Sequence, residues 1–174
     1  MGNIPVSPRQ ATVVYDATIT REKAWIWDIA LDSRENPVLV YVRFPDDSNH
    51  IYSYARWNGK KWISCDLINS GGWFPSDKAV SQPNYSGGLV LDHENINLVY
   101  LSAKRDSKFE IERWSTKNGL KWKAEAVTNH SGKDNVRPFA VRNAEKKNPL
   151  QLLWMQNDFY LDYIKYKSIK MDLK

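Results

Sequence analysis

Between Asn84 and Thr128, apolar and polar positions alternate in three short runs, Gly88–Asp92, Phe109–Trp114 and Lys121–Val127, and a fourth, Asn97–Ala103, is mostly apolar. Alternation of period two marks strands with one buried face. The breaks between the runs are turn-forming stretches, His-Glu-Asn, Lys-Arg-Asp-Ser and Lys-Asn-Gly. Short strands joined by tight polar turns predict an antiparallel meander. Four strands in about 45 residues is the size of one β-propeller blade.

The pattern repeats. Ala30-Leu31-Asp32 answers Val90-Leu91-Asp92, and Leu39-Val40-Tyr41 answers Leu98-Val99-Tyr100. Arg56-Trp57, Asn58-Gly59 and Trp62 answer Arg113-Trp114, Asn118-Gly119 and Trp122. A weaker third unit runs through Phe139-Ala140-Val141, Leu150–Trp154, Tyr160–Tyr166 and Ser168–Leu173. The sequence therefore predicts an all-β chain, a single partial propeller with blades at 24–68, 84–128 and 135–173. Residues 1–23, with one strand expected at Ala11–Tyr15, read as the tail of a preceding blade. Three blades fall short of the roughly four to eight that close a ring. Association with another copy, through apolar faces left exposed on the first and last sheets by Trp25, Trp27, Trp154 and the Tyr160–Tyr166 strand, or a missing N-terminal half of the propeller, is the expectation.

Aromatic residues make up 13% of the chain, with eight Trp and nine Tyr, which suits packed β-structure and argues against disorder. The net charge of +5 is spread over short runs and forms no basic stripe, so no nucleic-acid partner is expected. No run reaches membrane-spanning length, and the first residues lack the apolar core of a signal peptide. No membrane partner follows. Cys65 stands alone, excluding a disulfide framework and a thiolate metal site, and is expected in the interior. Asp46-Asp47 reads as a turn with no His pair nearby. No metal site and no cofactor is called for.

Several stretches, in order, resemble one family. They are Trp25-Ile-Trp-Asp-Ile-Ala-Leu-Asp, Gly72-Trp73-Phe74-Pro75, Tyr85-Ser-Gly-Gly, Phe109-Glu-Ile-Glu-Arg-Trp and Asn135-Val-Arg-Pro-Phe. Together they are similar to the C-terminal half of BNR-repeat-containing β-propellers, relatives of the seven-bladed ulvan lyases and rhamnosidases of polysaccharide-degrading bacteria. Ser115-Thr-Lys-Asn-Gly119-Leu-Lys-Trp122 keeps the Ser, Gly and Trp of that family's Asp-box and lacks its Asp and Thr. Gly is there to take a positive φ and Trp to pack between blades. The resemblance implies a carbohydrate-active module that acts on or binds an acidic polysaccharide or oligosaccharide, and a secreted or periplasmic location. The alternatives are a non-catalytic glycan-binding module and an inactive fragment. In the resembling enzymes an essential histidine lies in the N-terminal half, which this sequence does not contain.

A propeller's ligand face is built from the loops before each first strand and between the second and third. Those loops contain Arg43, His50, Trp73, Tyr85 and Arg137. For β-elimination on a uronate, a cation must neutralise the carboxylate while a Tyr or His takes the proton. Arg137 and Arg43 are candidates for the first task, His50 and Tyr85 for the second, and Trp73 for stacking on a sugar ring. Each has a plainer reading. His50 also reads as an exposed loop histidine, Arg137 as an inter-blade salt bridge, Trp73 as a plug between blades, and Gly87-Gly88 beside Tyr85 as a close backbone approach. Asp28 and Asp158 are the available carboxylates for a glycosidase pair. His93 falls at the opposite end and reads as structural.

Overall fold

The computed structural model describes residues 7, 10–71, 87–144, 150–161 and 165–173. A single-turn helix, α1 (Ala17–Thr20), precedes eleven strands. The first sheet holds β1 (Lys23–Leu31), β2 (Pro37–Asp46), β3 (Asn49–Trp57) and β4 (Trp62–Asn69). The second holds β5 (Leu89–Leu91), β6 (Leu98–Arg105), β7 (Lys108–Thr116) and β8 (Trp122–Ala126). The third holds β9 (Asp134–Ala140), β10 (Leu152–Tyr160) and β11 (Tyr166–Asp172). Within each sheet, neighbours in sequence are neighbours in space and all pairs are antiparallel.

The turns repeat as the sequence does, because the same side chains build them. Asp32 Oδ1 accepts the backbone N–H of Arg34 and Asn36, and Asp92 Oδ1 accepts those of Glu94 and Asn95. Asn58 Oδ1 accepts from Lys60 and Lys61, and Asn118 Oδ1 from Leu120 and Lys121. The glycine after each Asn takes the left-handed backbone, φ 92° at Gly59 and 74° at Gly119. Asx side chains that mimic a backbone turn, followed by glycine, need no tertiary support.

The sheets stack face to face. Between the first and second lie Val38, Val40, Val42, Tyr52 and Tyr54, meeting Leu89, Leu91, Val99 and Leu101. Between the second and third lie Val90, Tyr100 and Ile111, meeting Ala140, Leu152 and Trp154. Trp122 crosses the first interface: its ring stands edge-on to Tyr54 at 4.9 Å, and its Nε1 donates to Cys65 Sγ at 3.4 Å. Cys65 thus behaves as a small interior side chain, and burial raises its thiol pKa. The first strands lie side by side along one edge of the stack, β1 against β5 and β5 against β9.

Four sequence expectations need correction. Ala11–Tyr15 forms no strand; Val14 and Tyr15 lie against Leu39 and Tyr41 on the first sheet's outer face, the face turned from the second. Among the described residues the third sheet has three strands, because Tyr160 ends β10 and pairs with Tyr166 at the start of β11. Trp154, expected at an exposed terminal face, is 6% exposed and inside the second interface. Leu39-Val40-Tyr41 and Leu98-Val99-Tyr100 are one residue out of step. Leu39 and Tyr41 point away from the second sheet, and the residues on the corresponding face of β6 are Val99 and Leu101. A one-residue shift along a strand changes the face, so the resemblance of the two triplets is one of composition.

Leu91 is fully buried and Leu120, in the β7–β8 turn, is 53% exposed. Leu91→Ala should cost about 2–5 kcal/mol through lost contacts and the cavity left behind. Leu120→Ala should stay within about 0.5 kcal/mol. Urea denaturation of both variants checks the interface; equal costs would mean that β5 is not an interior strand.

Candidate functional site

Of the described candidates, Arg43 and His50 lie where β2 finishes and β3 starts, and Arg137 lies in β9. Trp27 is an extra residue in β1: Ile26 pairs with Tyr41 and Asp28 with Val40, so Trp27 bulges from the ladder. β9 bulges at the corresponding place, with Arg137 and Pro138 set against Trp154 alone. Arg137 has a φ of 57°, unusual for a non-glycine residue. The two bulged residues meet, the Arg137 guanidinium carbon lying 5.2 Å from the centre of the Trp27 ring. A guanidinium over an indole face is held by the ring quadrupole.

Gly87 and Gly88 permit that meeting. A Cβ on Gly88 would sit 3.3 Å from Arg137 Cα and 3.5 Å from the Trp27 ring, and Gly88 has a φ of 108°. A Cβ on Gly87 would sit 2.8 Å from Ser102 Cβ. Gly88 N donates to Tyr52 Oη at 2.8 Å, and Ser102 N to Gly88 O at 2.8 Å. The glycine pair therefore serves close backbone packing, and burial drives the Tyr52 hydroxyl well above the usual phenol range.

Where β1 starts and β2 finishes is a cleft of about 490 Å³ lined by Arg21, Lys23, Trp25, Phe44, Pro45, Asp46 and Asp47. Trp25 is 44% exposed and stands edge-on to Phe44 at 5.0 Å. Asp46 accepts from Asn49 Nδ2 at 2.6 Å and Ser48 N at 2.8 Å, which together hold its carboxyl below the usual range.

His50 lies beneath that floor. Its ring is edge-on to Phe44 at 4.7 Å and the residue is fully buried, so the reading as an exposed loop histidine is overturned. Phe44 covers it, which alternation alone does not show. Burial pushes the imidazole down to about 4, although the Asp46 and Asp47 carboxylates pull it upward. Arg43 faces the other way. It is on the outer face of the first sheet, paired with Glu22 and, at 2.6 Å, with Asp66, and its guanidinium lies 6.0 Å from the Tyr15 ring centre. Arg43 and Arg137 are therefore not brought together. Trp73 and Tyr85 lie outside the described residues.

The carboxylates considered for glycosidase chemistry are also separate. Asp158 pairs with Lys133 at 2.5 Å and Lys167 at 3.3 Å, and Lys133 above all lowers its pKa. Asp28 is 11% exposed in its side chain and accepts from Leu91 N at 3.1 Å. His93 Nε2 lies 3.1 Å from both of its oxygens, and Arg142 lies 3.5 Å from Oδ1. This cluster joins all three sheets. Its signal in the sequence is a single Asp inside an otherwise apolar inner strand, where a charge persists only with partners. His93, read from sequence as structural, is one of those partners. No family model matches the chain, and neither a curated protein nor a solved structure matches it.

The burial of His50 has a pH consequence. The unfolded chain protonates His50 near its ordinary 6.5, the folded chain near 4. Stability is thus fully present above about 6.5 and falls as the pH drops toward 4, by roughly 3 kcal/mol in all. In His50→Leu, the stability difference between pH 7 and pH 4.5 should shrink by roughly 2–3 kcal/mol in urea denaturation. An unchanged difference would place the imidazole in water.

Proposed function

We propose that the three sheets are blades of a β-propeller and that the chain binds an acidic polysaccharide at the end carrying Trp25, Trp27 and Arg137. Three features support the propeller reading: sheets whose chain order is their spatial order, first strands side by side, and matching turns. The observation that carries the binding reading is Trp25, a half-exposed indole in a cleft edged by Arg21 and Lys23. An aromatic face suits the apolar face of a sugar ring, and the neighbouring cations suit a carboxylate or sulfate. Arg137 lies on the same end, its fork carrying five N–H donors in fixed geometry.

Binding is favoured over turnover by specific features. His50 is beneath Phe44, and Asp28 and Asp158 are each tied to cations in different places. The β-elimination reading then depends on Tyr85.

Titration calorimetry with a uronate oligosaccharide and its neutral counterpart tests the proposal. Trp25→Ala should weaken both ligands about threefold to tenfold, since stacking of roughly 0.5–1.5 kcal/mol is indifferent to charge. Arg137→Ala should weaken only the acidic ligand, about tenfold to a hundredfold, the equivalent of a charged hydrogen bond of roughly 1.5–3 kcal/mol. Arg137→Lys should restore part of that, keeping charge and losing the fork. Equal affinities across the set, insensitive to salt, would sink the reading; product formation by the parent chain would establish turnover as well.

A further inference from the structure

The repeat shows what is missing at the two ends of the stack. In both interfaces within the chain, one face of a sheet meets the opposite face of the next, Val40 of the first and Tyr100 of the second lying on corresponding faces. Leu89 and Leu91, three and one residues before Asp92, are fully buried against the first sheet. Ile29 and Leu31 hold the same places before Asp32, yet they are 54% and 58% exposed. Ile26, on the same face of β1, is 71% exposed. The face of the first sheet that corresponds to a covered face of the second is thus open along β1. At the far end, Leu153 pairs with Phe139, facing away from the second sheet; Phe139 is 51% exposed, with Met155 half-buried beside them. On the first and second sheets the corresponding faces are covered, as Val40 at 0% and Tyr100 at 6% exposure show.

We infer that the open face of the third sheet docks on the open β1 face of the first sheet in a second copy of this chain. The face of the third sheet and the β1 strip of the first correspond to surfaces the chain already joins twice internally; on the first sheet Val14 and Tyr15 already cover Leu39 and Tyr41, so the strip offered for docking is Ile26, Ile29 and Leu31. The contact is heterologous, and two copies make it reciprocally, so the assembly closes instead of growing into a filament. Two sets of three sheets give six blades, within the roughly four to eight of known propellers. The inference rests on the propeller reading above.

Sedimentation equilibrium tests it. The parent should run at twice the 20.2 kDa chain mass at micromolar concentration. Leu31→Glu and Phe139→Glu each alter one face, and each alone should give the single-chain mass, because either face is needed at both junctions. An equal mixture of the two variants should regain a dimer through the one junction whose faces are both intact. Both positions are exposed in the single chain, so unchanged circular dichroism and monomer denaturation separate disrupted docking from misfolding. A parent that stays at single-chain mass throughout would overturn the inference, as would a Phe139→Glu variant that still dimerises, which would mean that first sheets pair with each other. A ladder of larger species would overturn closure. The two proposals fail separately: a monomeric parent that binds uronate sinks this one alone, and a dimer that binds no glycan sinks the binding reading alone.

Discussion

One buried carboxylate fixes how the three sheets meet. Asp28 comes from β1, takes a backbone N–H from Leu91 at the end of β5, faces His93 just beyond it, and lies near Arg142, which follows β9. A carboxylate with 11% of its side chain exposed is costly unless its oxygens are occupied, and these partners come from the second and third sheets. The pairing therefore holds only when the first strands lie at one particular height and separation. Apolar packing is less selective, since aliphatic faces slide with small loss. The layers between the sheets supply the bulk of the stabilisation, and Asp28 selects one arrangement of them.

The bulge at Trp27 makes this possible. Continuing the pairing of Trp25 with Val42 and Ile26 with Tyr41 would set Asp28 opposite Leu39, on the face turned away from the second sheet. One extra residue in β1 moves Asp28 opposite Val40, on the face that meets the second sheet. The same step turns Ile29 and Leu31 outward. Bulges raise local twist and redirect side chains at functional edges. Here a single one assigns the inter-sheet carboxylate and the exposed aliphatic face, and it brings Trp27 out to Arg137.

Legibility in the sequence followed the range of the interactions. The strand runs of the second sheet, the Asp32 and Asp92 turns and the Asn-Gly turns were readable because each depends on a handful of adjacent residues. Trp122 between two sheets was readable for the same reason, since its turn places it at the start of an outer strand. The bulges were not, because an extra residue in a ladder leaves alternation intact on either side and shifts only its phase. The burial of His50 is not legible in its own strand because its cover, Phe44, arrives from the neighbouring one. Arg43 reads as a ligand-face residue from its loop because its partners, Glu22 and Asp66, lie far from it in sequence. Tyr160–Tyr166 has strand-like composition, yet Tyr160 pairs with Tyr166, so one closes β10 and the other opens β11.

The two ends of the stack divide the polar chemistry according to backbone geometry. At one end, the turn carboxylates and His93 are engaged within the protein: Asp32 by Asn36, Arg34 and Arg56, and Asp28 by His93. Burial would raise the Asp32 carboxyl, yet those hydrogen bonds hold it well below its ordinary range, so it stays charged and bound. At the other end, strands begin irregularly, with Trp27 bulged and Gly88 and Arg137 at positive φ. Such backbone interrupts the ladder, so a side chain there leaves the alternation of its strand, as Trp27 does to meet Arg137. The end that fixes the sheets uses its polar groups internally; the end freed from that task carries the Trp27–Arg137 contact and, at the start of β1, the cleft lined by Trp25.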